Sequence, residues 1–164
     1  MSRGRDGSGL LLASVLVAFA LQLGPLPAAL APFRPYWPAL VLCYWLLEAP
    51  DRVGLGFAFI TGLIGDLLFG SLLGEQALRL TAMAFIVLRF RPRLRFFTLP
   101  QQALAILALM LNDRVIVLMV RGLSREGWPP WEFWIAPFVA MAMWPWLCLL
   151  LDDVRVRLRG RDSA

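Results

Sequence analysis

Apolar side chains fill six long runs of this 164-residue chain, and short polar or proline-containing stretches separate them. A helix needs about 20 residues to cross a hydrocarbon layer about 30 Å thick. Six such crossings with short connections account for nearly the whole length. The pattern therefore predicts six transmembrane helices, at approximately residues 10–31, 36–49, 53–69, 76–90, 99–120 and 131–151.

These runs leave no room for a separate soluble domain. We expect an all-α integral membrane protein with a single six-helix domain at residues 1–155 and a cytoplasmic tail at residues 156–164. The charged stretch from Asp152 to Ala164 is expected to fray. The first run ends in Ala29-Leu30-Ala31, which looks like a signal-peptidase site. We interpret this run as an uncleaved first helix, because no secreted domain follows it.

The composition agrees with lipid as the surrounding solvent. Hydrophobic residues make up 60% of the chain and charged residues 16%, whereas soluble domains have about 45–50% and about 25%. The absence of His excludes Ser-His-Asp and Cys-His catalysis and most zinc sites. Nucleotide-binding loops and paired catalytic carboxylates are also absent. We therefore expect no enzymatic activity and no cofactor.

The arginines predict the orientation of the chain in the membrane. They lie in short clusters between apolar runs, which argues against a nucleic-acid-binding domain. Cytoplasmic loops carry an excess of basic residues, and one side of the predicted bundle holds eleven arginines against three on the other. The three are Arg34, Arg121 and Arg125. Both termini are therefore predicted to be cytoplasmic, and Tyr36, Trp37, Trp128, Trp131 and Trp134 then fall at the outer membrane boundary, where aromatic rings are enriched.

Small residues recur along the third run at a spacing of four. They let another helix backbone approach closely, which is how helices associate in lipid. This stripe predicts an interface, either with another helix of the chain or with a partner protein. A second candidate for packing or partner contact closes the sixth run, where an interior proline lies between two tryptophans. The candidate residues are Gly54, Ala58, Gly62, Gly70, Trp144, Pro145 and Trp146.

Four ionisable residues lie inside apolar runs, namely Asp66, Arg79, Asp113 and Arg114. At about 1.5 Å of rise per residue, all four fall in the outer half of the bilayer at similar depths. Each would cost about 2.5–3.5 kcal/mol if it faced lipid alone, and two acids match two bases. We therefore predict an internal network that joins the third, fourth and fifth helices. Intramembrane charges also mark ion and proton pathways, so a transport role stays open at this point.

Several short segments, taken in order, resemble the rod-shape-determining MreD family. The similarity runs from Arg34 to about Arg155, and Tyr36 departs from it, since family members more often have a small polar residue there. The segments are Arg34-Pro35-Tyr36-Trp37, Tyr44-Trp45, residues 50–54, residues 62–74, Gln101-Gln102-Ala103-Leu104 and Trp144-Pro145-Trp146.

The resemblance implies a non-enzymatic inner-membrane subunit of the bacterial cell-elongation complex. Its partner would be MreC, and through MreC the MreB filaments and the enzymes that synthesise peptidoglycan. It also implies a fold similar to the substrate-binding S-components of energy-coupling-factor transporters, surrounded by membrane lipid. Two hypotheses follow: a scaffold that docks a partner helix, or a transporter subunit that encloses a small molecule from the outer side.

Overall fold

The computed structural model describes residues 3–161 as an all-helical bundle, which confirms the all-α part of the predicted fold class. Within these residues there are six α-helices and no strands. Two 3₁₀ turns, Ala28–Phe33 and Trp131–Trp134, precede α2 and α6. The helices are α1 (Arg3–Leu23), α2 (Trp37–Glu48), α3 (Leu55–Phe69), α4 (Glu75–Leu94), α5 (Leu99–Leu123) and α6 (Ile135–Arg161).

The shortest helix, α2, is the centre of the bundle. Every residue from Pro38 to Leu47 is buried, as expected for a helix that is apolar all round. Helices α1, α4 and α6 pack around it. Helix α3 packs on α4, and α5 lies against α4 and α6. The core is therefore organised around α2, with α3 at the periphery.

Successive helices run in opposite directions, so the bundle has two distinct ends. One end holds the connections at residues 24–36, 70–74 and 124–134, and we name it the cavity end for the cavity described below. The tail end holds the connections at residues 49–54 and 95–98 and the last turns of α6. Helix α5 begins at the tail end with a capping box, in which the Thr98 N–H donates to Gln101 Oε1 at 3.1 Å.

The observed helices differ from the predicted runs mainly at their ends. Helix α1 stops at Leu23, just before Pro25 and Pro27. The expectation of a frayed tail is wrong for residues 152–161, which continue α6, while residues 162–164 lie outside the described part. Arg157 pairs with Asp153 one turn earlier at 2.8 Å, a spacing that supports a helix.

Two helices have the length and apolar composition needed to cross a membrane alone, at Leu99–Leu123 and Trp131–Leu158. The apolar stretches Gly7–Leu23 and Leu55–Phe69 are shorter. Helix α2 has 12 residues, which corresponds to about 18 Å at 1.5 Å per residue. Among the residues described, two helices are thus able to cross a membrane by length and composition.

The stripe of small residues on α3 forms the crossing with α4. A Cβ atom added at Gly62 would lie 2.3 Å from the Cα and 2.6 Å from the backbone nitrogen of Ala77. Ala58, one turn earlier, is completely buried. At the two ends of the stripe, Gly54 caps the start of α3, and Gly70 ends the helix with a φ of 63°. The middle of the stripe is therefore an internal contact.

Gly62→Ala should destabilise the protein, because backbone atoms of α4 cannot move away from a new methyl group without separating the helices. Overpacking of this kind costs about 1–3 kcal/mol, and we expect a lower midpoint of thermal unfolding in detergent. Gly56→Ala on the same helix is the control, since its Cβ would meet nothing within 4 Å. Equal midpoints for the two variants would contradict the close crossing.

Candidate functional site

A buried ion pair joins α4 to α5. Arg79 donates from Nε to one Asp113 carboxylate oxygen at 2.7 Å and from Nη2 to the other at 2.6 Å. Both side chains are buried, and this two-pronged geometry is the strong form of an arginine–carboxylate contact. The guanidinium also lies 4.4 Å from the centre of the Tyr36 ring. The structure thus brings together two of the four ionisable residues singled out in the sequence.

Asp66 has a different role, because it holds the beginning of α4. Its carboxylate accepts the backbone N–H groups of Gly74 and Gln76 at 2.8 and 2.7 Å, and the Ser71 hydroxyl at 2.8 Å. The first N–H groups of a helix have no partner within the helix, and negative charge is favourable there. Asp66 is therefore a helix cap supplied by the neighbouring helix α3.

The predicted four-membered charge network is divided as a result. Among the described residues, no arginine lies within 4.0 Å of the Asp66 carboxylate, and Arg114 has no carboxylate within that distance. Adjacent residues on a helix point in different directions, so Arg114 does not share the contact of Asp113 with α4. Its guanidinium lies instead 4.4 Å from the centre of the Phe133 ring.

The Trp-Pro-Trp segment presents its two tryptophans to different environments. Trp144 is completely buried, and its indole N–H donates to Gln102 Oε1 at 3.4 Å. Trp146 is 70% exposed. Pro145 lies between them inside α6, which continues through it. Trp144 is therefore a packing residue, and Trp146 is on the free surface of the bundle.

A cavity of about 200 Å³ opens at the cavity end of the bundle. It lies beside the ion pair, and its lining comes from the ends of α1 and α3, the segment just before α2, the start of α4 and the middle of α5. In the sequence, Arg79 and Arg114 stood out as charges inside apolar runs, and Arg34 and Tyr36 as residues of the outer boundary, whereas nothing distinguished the two glutamines. The lining residues are Gln22, Arg34, Tyr36, Phe69, Gln76, Arg79 and Arg114.

Sequence reasoning also missed a polar cluster at the tail end. Arg155 of α6 donates to Glu48 at 2.9 Å and to the Tyr44 hydroxyl at 3.1 Å. Tyr44 in turn donates to Asp152. These contacts join α2 to α6 through residues more than 100 positions apart, so no local pattern in the sequence indicates them. Within the described part of the chain, no three His, Cys, Asp or Glu side chains are grouped as metal ligands.

Asp66→Ala should lower the midpoint of thermal unfolding, because the amides at the start of α4 would lose their buried acceptor. Loss of a helix cap costs about 0.5–2 kcal/mol, and amide hydrogen exchange at residues 74–77 should become faster. Asp51→Ala is the matched control, since Asp51 is exposed in the turn between α2 and α3. An Asp66→Ala protein as stable as the control, with unchanged exchange, would contradict the capping role.

Comparison with known proteins gives one consistent family. The family described as rod shape-determining protein MreD matches residues 4–154. A Haemophilus influenzae protein named rod shape-determining protein MreD is 31% identical over 149 residues, which cover 91% of this chain and 92% of that protein. No solved structure matches the chain, so the expected similarity to transporter S-components stays a prediction. The family match and the relative agree in extent, and the chain belongs to the MreD family of rod shape-determining proteins.

Proposed function

We propose that this chain is a non-enzymatic, multi-pass subunit of the bacterial rod complex in the inner membrane. In this role it binds MreC, and through MreC it links the MreB cytoskeleton to the enzymes of peptidoglycan synthesis. The observation that carries the proposal is the family match over residues 4–154, nearly the whole chain. Membership of a rod shape-determining family favours a part in that complex over other roles for a small helical membrane protein.

The exposed surface of the bundle supports a membrane environment. Large apolar side chains lie exposed along α1, α3, α5 and α6, and soluble proteins rarely expose contiguous apolar surface of this kind. Lipid would cover these side chains. Examples are Leu16 and Val17, Leu67 and Ile60, Met119 and Leu104, and Trp146 and Leu150.

The six helices differ in length, and this is compatible with six membrane crossings because not every helix is in contact with lipid. Helix α2 is surrounded by other helices, so its 12 residues need not match the bilayer thickness. Arg79 of α4, near the cavity end, is buried, and Asp113 neutralises it. With the excess of arginine at the tail end, the positive-inside rule places both termini in the cytoplasm and the cavity end at the periplasmic face.

The exposed face of α6 is our choice for the partner surface. Tryptophan is enriched among the residues that dominate binding energy at protein interfaces. Trp146 is largely exposed, and Leu149 and Leu150, one turn further along α6, are exposed as well. The small-residue stripe of α3 is less suitable, because Ala58 is buried and Gly62 is already in contact with α4. A single membrane helix of MreC could pack on α6 without any rearrangement of the bundle.

The alternative role, a transporter subunit that encloses a small molecule, receives less support. Binding sites for drug-sized ligands have volumes of about 300–1,000 Å³, whereas the cavity here measures about 200 Å³. The buried aspartates also have fixed partners, whereas a carboxylate that carries protons must be able to release them. These features favour a scaffold.

A co-purification experiment tests the proposal. The full chain, with green fluorescent protein fused after Ala164, is co-expressed with affinity-tagged MreC from the same bacterium and extracted in mild detergent. We expect cytoplasmic fluorescence and recovery of the two proteins in a one-to-one ratio. Trp146→Ala should lower that recovery severalfold, because truncation of a central interface tryptophan commonly costs 2 kcal/mol or more, roughly a 30-fold change in affinity.

Leu67→Ala is the matched control, because Leu67 is 75% exposed on α3, away from α6, and its recovery should equal that of the unmodified protein. Absence of MreC from the purified unmodified protein would contradict the proposed function. Normal recovery of MreC with Trp146→Ala would contradict only the choice of face. If the green fluorescent protein after Ala164 is exported to the periplasm and gives no fluorescence, the proposed cytoplasmic position of the C-terminus is contradicted.

A further inference from the structure

The cavity beside the ion pair is lined almost entirely by hydrogen-bond donors. Three of its seven lining residues are arginines, and none is acidic. Gln76 accepts the Tyr36 hydroxyl with its side-chain oxygen, and Gln22 accepts the Trp37 N–H with its own at 3.2 Å. Both carboxamide groups therefore use their oxygens within the protein and keep their NH₂ groups as donors.

The positive charge at this cavity is only partly balanced by the protein. Asp113 neutralises Arg79, which also lies 3.9 Å from Glu75. Arg34 and Arg114 have no carboxylate within 4.0 Å among the described residues. The Asp66 carboxylate is occupied by the amides of α4. Two guanidinium charges therefore line a half-buried space without a direct anionic partner.

Arg34 carries a further sign of a missing acceptor. Its two terminal nitrogens donate to the backbone oxygens of Gln22 and Gly24, which fixes the side chain against the end of α1. The remaining nitrogen, Nε, is buried and has no acceptor within residues 3–161. A buried donor without an acceptor costs about 1–3 kcal/mol, and a negative charge in the adjoining cavity would offset part of that cost through its attraction to the guanidinium.

The size of the cavity limits the kind of anion. A volume of about 200 Å³ equals roughly six or seven water molecules at about 30 Å³ each. A phosphate group fits this space, and its several acceptor oxygens match the forked donors of arginine. From these observations we propose that the cavity binds a phosphate-type anion through Arg34 and Arg114, with Gln22 and Gln76 as further donors.

Two sources of this anion share the same chemistry: the phosphate of a lipid headgroup and free inorganic phosphate. A lipid headgroup would require the cavity end to lie at a membrane surface, as in the proposed topology. Free phosphate would not. Neither source depends on MreC, so a failure to recover that partner would leave the anion site standing.

Thermal unfolding of the purified, delipidated protein in neutral detergent tests the site. Separate samples receive sodium phosphate, phosphatidylglycerol or dioleoylglycerol, with sodium chloride as the ionic-strength reference. We expect phosphatidylglycerol or phosphate to raise the midpoint above that reference. Stabilisation by phosphatidylglycerol alone assigns a lipid headgroup, and equal stabilisation by phosphate assigns the free anion. Equal effects of phosphatidylglycerol and dioleoylglycerol, with none from phosphate, would overturn the proposal, because the acyl chains would then account for binding.

Arg114→Gln is the informative variant. Arg114 has no carboxylate within 4.0 Å among the described residues, so its replacement leaves no acidic side chain without a partner. It should raise the dissociation constant for the stabilising anion about tenfold or more, since a charge-assisted hydrogen bond is lost. Arg121→Gln is the matched control, since Arg121 lies on the same helix, also near Phe133, and does not line the cavity. An unchanged dissociation constant in Arg114→Gln, or an equal loss in both variants, would overturn the proposal. If Arg114→Gln does not fold, the lipid comparison on the unmodified protein still decides it.

Discussion

The need to give every buried charge a partner constrains this bundle more than any other interaction. Arg79 and Asp113 satisfy each other across the contact between α4 and α5, and Asp66 satisfies the start of α4 from the end of α3. Removal of one member of a buried pair costs about 3–5 kcal/mol. Three helices are therefore fixed relative to one another by polar contacts at one end, where apolar packing alone would permit many arrangements.

The same contacts shape the surfaces on which function depends. With Asp113 and Asp66 occupied, the cavity presents arginines and amides rather than carboxylates. The outside of the bundle stays apolar, as a membrane protein requires, and α6 leaves Trp146 on that surface while Trp144 packs inside. The polar contacts of the interior hold the fold, and the apolar exterior is suited to lipid.

The sequence predicted the features that depend on composition and local spacing. The all-helical class followed from the apolar runs. The spacing of small residues indicated an interface on α3 without choosing between a helix of the chain and a partner, and the depth of the charged residues indicated one network of four, within which the structure pairs Arg79 with Asp113. The sequence could not show which of several nearby groups each buried charge would bind. Asp66 matched an arginine by charge, but the free amides at the start of α4 lie only eight to ten residues further along the chain.

Contacts between distant segments were also beyond the reach of the sequence. In the sequence, Tyr44 resembles an aromatic residue of the membrane boundary, and Arg155 resembles a charge of the tail. In the structure Arg155 donates a hydrogen bond to the Tyr44 hydroxyl, because α6 packs against α2. The continuation of α6 to Arg161 was missed for a related reason, since a charged stretch resembles a solvated tail until its pairs are known. Gln22 and Gln76 have no distinguishing local pattern, and only the bundle brings them to one cavity.

The most direct measurement of the central claim is a double-mutant cycle on the buried pair. Arg79→Gln, Asp113→Asn and the combined variant are compared with the unmodified protein by unfolding in detergent, with the exposed pair Arg121–Glu126, 3.4 Å apart, as the reference. A coupling free energy of about 2–3 kcal/mol is predicted for the buried pair, and below about 1 kcal/mol for the exposed pair. Additive losses for Arg79 and Asp113 would contradict the claim that this ion pair holds the bundle together.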